Sequence, residues 1–181
     1  MKKYPNYLEH WRFILAIVPH YRSATESVTR VYYVDGTMEE YPCRCEVIVK
    51  HLATLFRTSL PVARKRASHF LGRNRSRKVP LVLYDGFCLV PFKYREKIRH
   101  NDSTVGYAVS QYVDSTVPFP DGGCRILFKK TWCTLLVRQN KITVDAQLAE
   151  AVHLQACFDD ETSRWEHATC FARDTISNKE Y

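Results

Sequence analysis

The sequence predicts a single α+β domain in which antiparallel hairpins pack against two or three helices. Its 181 residues, 45% of them hydrophobic, are enough to enclose one hydrophobic core without disulfides or metal. Patterns typical of strand hairpins occur in both halves of the chain, and segments with helical periodicity lie among them. No internal repeat and no Gly/Ser-rich linker divides the sequence, so one domain is expected over residues 1–158. A polar C-terminal tail is expected over 159–181.

The first third of the chain predicts a strand meander followed by two helices. Residues 13–21 and 30–35 have the apolar, β-branched and aromatic composition of strands, and an Asp-Gly turn at 35–36 leads into a return over 37–42. From Glu46 to Phe56 the apolar residues recur at helical spacing. A second helix over 61–71 is expected to start after Ser59 and to stop at Gly72. Its apolar side consists of Leu60, Ala63, Ala67, Phe70 and Leu71.

The remaining elements follow from turn signals and apolar runs. An Asp-Gly turn at 85–86 lies between two apolar runs, which predicts a hairpin over 79–84 and 87–92. Residues 93–103 are polar and predict a surface loop, whereas 105–117 predict one strand. A further hairpin is expected over 124–128 and 132–137, and a helix over 146–158 with Thr143 as its N-cap.

Positive charge is concentrated in one part of the chain. The net charge is +8, from 27 basic and 19 acidic residues. Residues 47–84 contain nine cations and no acid, while the rest of the chain has 18 cations and 19 acids. Because like charges repel unless a counter-charge is near, and this stretch has no acid of its own, we expect a polyanionic partner. A solvated, solubilising surface is the alternative.

The arginines of this stretch predict contacts with duplex DNA. Residues 73–78 include no apolar side chain and are expected to form an exposed loop. In an extended loop Arg73, Arg75 and Arg77 would point the same way, and arginine is the residue usually inserted into narrow minor grooves. The expected phosphate contacts are Arg64, Lys65, Arg66 and Lys78, with Arg57 and Lys50 as weaker candidates.

No motif in the sequence predicts catalysis, a metal or a cofactor. The seven histidines form no HExxH or HxH pattern, the seven cysteines form no CxxC pair, and there is no glycine-rich phosphate loop. Glu39-Glu40 and Asp159-Asp160-Glu161 are the only acidic clusters, and surface or capping roles are expected for them. We therefore expect a protein that is not an enzyme, although a metal-dependent nuclease stays open as a minor alternative.

Within the basic stretch, residues 55–67 (LFRTSLPVARKRA) are first aromatic, then small and polar, and then carry an Arg-Lys pair. This segment resembles the ComK family, the competence transcription factors of Gram-positive bacteria, whose matching segment has the same order. Residues 78–83 (KVPLVL) and 89–92 (LVPF) resemble the family's hairpin, which starts with lysine and proline. Residues 126–128 and the helix with Gln147 and Leu154 match its last strand and helix in order, and residues 14–19 match more loosely.

The resemblance implies a sequence-specific DNA-binding transcription activator that needs no cofactor. Proteins of this family bind paired A/T-rich boxes on duplex DNA, largely from the minor groove, as homodimers or higher homo-oligomers. RNA polymerase and a proteolytic adaptor are further partners, but the likeness ends at Phe158, before the part of the family tied to activation and proteolysis. We expect a cytoplasmic, nucleoid-associated protein, and no membrane partner, because the longest apolar run (13–18) is too short to span a bilayer.

A second hypothesis uses the same basic surface for a different partner. Aromatic residues follow the basic stretch closely and could stack unpaired bases, which would make this an RNA-binding or regulatory interaction protein. The same side chains could instead fill the core behind the hairpin. The residues concerned are Tyr84, Phe87, Phe92 and Tyr94.

Overall fold

The computed structural model describes residues 5–23, 26–72, 78–97 and 102–177, with side chains up to residue 163. Over these residues the chain forms four α-helices and nine strands in two antiparallel sheets. The predicted α+β class is confirmed. No described helix combines the length and the apolar character that a membrane span needs.

The larger sheet has six strands and separates two parts of the hydrophobic core. Its members are β1 (Ile14–Tyr21), β2 (Ser27–Tyr33), β3 (Met38–Tyr41), β4 (Leu81–Tyr84), β5 (Phe87–Lys93) and β6 (Val105–Val109). Their order across the sheet is β3-β2-β1-β6-β5-β4. Side chains of β1 enter opposite parts of the core, with Ile14 and Ile17 on one side and Leu15 and Val18 on the other, and a β-bulge between Ile14 and Ala16 interrupts the strict alternation. Both faces of the sheet are therefore covered.

Three short helices cover the face of the sheet that holds Ile14 and Ile17. They are α1 (Asn6–Glu9), α2 (Cys45–Leu55) and α3 (Leu60–Phe70), and the last two match the predicted helices closely. The Ser59 hydroxyl caps α3 by accepting a hydrogen bond from the Val62 N–H at 3.4 Å. Gly72 follows α3 with a φ of +62°, a conformation that glycine adopts without strain, so the predicted stop is confirmed.

The second sheet covers the other face and corrects the prediction of a single strand over 105–117. It consists of β7 (Val113–Pro118), β8 (Cys124–Phe128) and β9 (Thr134–Val137), in that order. A 3-10 helix over Ser110–Tyr112 ends β6 and passes the chain from the six-stranded sheet to the three-stranded one. Cys124, Ile126 and Val137 share a buried cluster with Leu15 and Phe92.

The last helix is much longer than the predicted 146–158. Helix α4 runs over Lys141–Ser177, so the expected border between domain and tail at residue 158 falls inside a continuous helix. Its cap also differs from the prediction, because the Asn140 side chain accepts a hydrogen bond from the Thr143 N–H at 2.8 Å. Asn140, and not Thr143, therefore stands at the N-cap position.

Candidate nucleic-acid interface

Helix α3 presents three consecutive cations because its small residues face the core. Ala63 and Ala67 are buried on one side of the helix. The residues between them turn through the opposite side, at about 100° per residue. Lys65 is exposed at the centre of that outer side, and Arg64 and Arg66 are half-buried on its flanks. The two arginines are thus close enough to neighbouring elements to form contacts within the protein.

Arg64 meets the first turn of α2 and strand β6 of the six-stranded sheet. Its Nη2 donates to Glu46 Oε1 at 3.1 Å, across 18 residues of sequence. The Nε atom is buried and, within the described residues, has no hydrogen-bond partner. The guanidinium also lies near Tyr107, where burial raises the pKa of the tyrosine hydroxyl. Arg64 is consequently anchored, with one donor unused.

Arg64 forms one wall of a pocket of about 580 Å³, here called the basic pocket. Three cations, two carboxylates and several neutral polar groups line it. Of the two carboxylates, Glu46 accepts from Arg64 and Asp102 accepts from the Tyr21 hydroxyl. Cations outnumber acids, so the pocket suits one anionic group such as a phosphate. Its lining is Arg44, Glu46, Arg64, Lys78, Asp102, Ser103, Thr104, Val105 and Tyr107.

Arg66 binds helix α4. One of its guanidinium nitrogens donates to the Glu161 carboxylate, and the group lies over the Phe158 ring, 4.1 Å from the centroid. The expectation that the basic stretch has no local counter-charge is therefore wrong for Arg64 and Arg66. Acids from outside residues 47–84 pair with both of them, because the fold brings distant elements alongside α3.

The other predicted phosphate contacts occupy different surroundings. Lys50 is exposed on α2, and Lys65 is exposed on α3. Arg57 follows the end of α2 with a φ of +54° and is also exposed. None of these three lines the basic pocket, whereas Lys78 does. Arg73, Arg75 and Arg77 lie outside the described residues, so their groove contacts stay a prediction.

The charge pattern of the sequence does not reveal Arg44 or the polar groups of 102–107 as members of the pocket. The acid-free stretch begins at residue 47, directly after Glu46, so it does not include Arg44. Ser103, Thr104 and Tyr107 are about 40 residues from Arg64 and carry no charge. Only the antiparallel order of β5, β6 and β1 places them beside α3.

The aromatic residues assigned to base stacking are mostly part of the core. Phe87 and Phe92 are 0% and 1% exposed, so the stacking hypothesis is wrong for them and the core-filling alternative is confirmed. Tyr94 is half-buried. Tyr84 is exposed on one side and stacks on Phe56 on the other, with centroids 5.2 Å apart.

The acidic clusters form contacts within the protein. Glu39 accepts hydrogen bonds from the Tyr33 and Tyr41 hydroxyls and the Asn6 amide. Burial opposes ionisation of Glu39, but these three bonds outweigh it and hold its pKa below the usual value. Glu40 pairs with Arg22 and Arg30. Within the described chain no three His, Cys, Asp or Glu side chains converge as metal ligands would.

Comparison with known proteins adds no relative. No protein-family model matches the chain, and neither a curated protein nor a solved structure is found to be similar to it. The ComK resemblance accordingly remains a prediction from the residues that carry it.

Proposed function

We propose that this protein binds A/T-rich duplex DNA and activates transcription. One observation carries the proposal: Arg64 and Lys78, 14 residues apart, line the same pocket, and Arg44 joins them there. Residues 65–77 connect these two positions and hold Lys65 and the three alternating arginines. A single surface would thus combine the basic pocket with the segment that holds Arg73, Arg75 and Arg77, here called the arginine segment.

The expected contacts divide by chemistry. Arg44, Arg64, Lys65 and Lys78 would bind phosphates and fix the position of the protein on the duplex, without reading sequence. Arg73, Arg75 and Arg77 would enter the minor groove, which is narrow and strongly negative in A-tracts. Arg66 is removed from this set, because Glu161 and Phe158 already engage its guanidinium.

Transcription activation and self-association come from the ComK resemblance. On that basis we propose that a homodimer or larger homo-oligomer occupies paired A/T-rich boxes and that RNA polymerase is the downstream partner. Duplex DNA is preferred to RNA at this surface because Phe87 and Phe92, two of the aromatic residues that RNA binding would use, are buried.

The test is fluorescence anisotropy with two labelled duplexes of equal length, one with paired A/T tracts and one G/C-rich. We expect tighter binding to the A/T duplex, displacement by a minor-groove drug, and a log K that falls by about 0.9 per phosphate contact for each tenfold rise in salt. The variant Arg75→Glu should abolish specific binding. Arg138→Glu is the matched control, an exposed arginine outside the basic stretch that should bind as the wild type does.

Two results would contradict the proposal. Equal, salt-sensitive binding to both duplexes would leave only general affinity for polyanions. Wild-type affinity of Arg75→Glu for the A/T duplex would show that the arginine segment is not the reading element. Circular dichroism of each variant separates loss of binding from loss of fold.

A further inference from the structure

One turn of the second sheet exposes a tryptophan completely. Trp132 lies between β8 and β9 and has its whole side chain in solvent. The turn has its own hydrogen bond, which the Thr131 hydroxyl accepts from the Cys133 N–H at 3.2 Å. Tryptophan is highly buried on average in folded proteins, and an exposed one on a hydrogen-bonded turn suits a binding role.

Cations accompany Trp132 on the same turn. The Lys129 ammonium donates to the Gln111 carbonyl at 3.0 Å, which fixes the turn to the 3-10 helix after β6. Lys130 is exposed and has a φ of +56°. In the described residues only Lys130 and Arg57 adopt this left-handed conformation without being glycine. Strained backbone of this kind concentrates at functional sites.

A chain of contacts joins this turn to Arg57 at the end of α2. The Tyr112 hydroxyl donates to the Arg12 carbonyl, and the Arg12 guanidinium lies 5.1 Å from the centroid of the Trp11 ring. Trp11 is in edge contact with Tyr84 and Phe56, with centroids 5.6 and 4.7 Å away. Arg57 is the next residue after Phe56.

The exposed residues along this chain of contacts are here called the aromatic end. It comprises Arg12, Arg57, Tyr84, Lys129, Lys130 and Trp132. Gly86 of the β4–β5 turn lines a pocket together with Gln111 and Lys129, which places that turn beside the tryptophan turn. Three carboxylates, Asp85, Asp114 and Asp159, belong to the same region, so its four cations remain in excess.

We propose that the aromatic end binds the unpaired bases of single-stranded nucleic acid. Trp132 and the exposed side of Tyr84 would stack bases, and the four cations would hold the phosphates between them. Exposed aromatic rings interspersed with cations are how proteins bind single strands without sequence preference. Duplex bases are already stacked on one another and cannot use such rings. The proposal is independent of duplex binding at the basic pocket.

The experiment compares two anionic strands that differ only in their bases. The wild type and Trp132→Ala are titrated with labelled oligothymidylate and with an abasic oligonucleotide of the same length. We expect Trp132→Ala to weaken oligothymidylate binding by about tenfold or more and to leave abasic binding unchanged. Stacking should also quench the fluorescence that Trp132 contributes. Trp132→Phe should retain most of the affinity, because it keeps an aromatic face.

The control is Ile142→Ala, an exposed apolar residue on α4, away from the aromatic end. It should bind both oligonucleotides as the wild type does. Unchanged binding of oligothymidylate by Trp132→Ala would overturn the proposal, as would an equal loss for the abasic strand. Sedimentation of the same samples provides a further check. A change in oligomeric state with unaltered oligonucleotide binding would assign Trp132 to contacts between copies, and the proposal would be wrong.

Discussion

Arg57 occupies a backbone position that glycine normally fills. The Thr58 N–H donates to the Ala53 carbonyl and the Arg57 N–H to the Thr54 carbonyl, both at 3.0 Å, which is the Schellman arrangement at a helix end. The left-handed residue that follows α3 is Gly72, whereas the one that follows α2 is Arg57. A residue with a Cβ is strained there, so Arg57 lowers the stability of the fold relative to glycine. We therefore expect its side chain to have a role other than stabilising the helix end.

Replacing Arg57 by glycine should therefore separate stability from binding. We expect Arg57→Gly to raise the free energy of unfolding by about 1 kcal/mol, since the left-handed strain disappears. The same variant should bind oligothymidylate more weakly, because one phosphate contact is lost. Urea unfolding and anisotropy measure the two effects. Gly72→Ala is the converse control and should lower stability; an Arg57→Gly variant that is no more stable than the wild type would contradict the strain argument.

For single residues the sequence predicts charge but not the partners of that charge. The absence of acids from residues 47–84 is visible in one dimension, and Lys50 and Lys65 are exposed as that pattern implies. Glu46 borders the stretch and Glu161 is far from it in sequence, and they reach Arg64 and Arg66 only because α2, α3 and α4 pack together. The consequence is that neighbouring cations on one helix turn have different roles.

Two neighbouring residues of helix α3 provide a direct test of these different roles. Arg66→Ala removes the ion pair with Glu161 and the contact with the Phe158 ring, so we expect a loss of about 1 kcal/mol in the free energy of unfolding. Lys65→Ala should change stability by less than about 0.5 kcal/mol, because Lys65 is solvent-exposed. Duplex DNA binding should respond in the opposite order, with Lys65→Ala the weaker binder.

Chemical denaturation and duplex titration of the same two proteins decide the matter. If Arg66→Ala were as stable as the wild type and bound DNA more weakly than Lys65→Ala, the assignment of Arg66 to helix packing would be wrong. The adjacent positions make the comparison well matched, since both substitutions remove one positive charge from the same helix.

Elements with local signals were predicted well, and those set by packing were not. The Asp-Gly turns and the Ser59 cap are local, and the hairpins and α3 follow them. The break between β6 and β7 occurs at Ser110–Tyr112, where no glycine or proline marks a turn. Likewise most residues after Phe158 are polar, yet α4 continues through them, and Glu161 pairs with Arg66 of α3.

Strand β6 runs between the two proposed binding surfaces. Ser103, Thr104 and Val105, at its start, line the basic pocket. Gln111, just beyond its end, accepts the hydrogen bond that fixes the tryptophan turn. Tyr107, the last β6 residue that lines the pocket, precedes Gln111 by four positions, so the chain spacing puts the two regions on the order of 10 Å apart. A duplex with a single-stranded tail could engage both surfaces at once.

This separation predicts that the two surfaces act independently on one tailed duplex. Arg75→Glu should weaken binding through the duplex and Trp132→Ala through the tail. In the double variant the two changes in binding free energy should add to within about 0.5 kcal/mol, as distant sites without shared partners do. A coupling well above that value, measured by anisotropy on the tailed duplex, would mean that both substitutions act on one shared surface. If the two effects do not add, the single variants show which of the two proposals is wrong. Arg75→Glu should leave oligothymidylate binding intact, and Trp132→Ala should leave binding to the blunt A/T duplex intact.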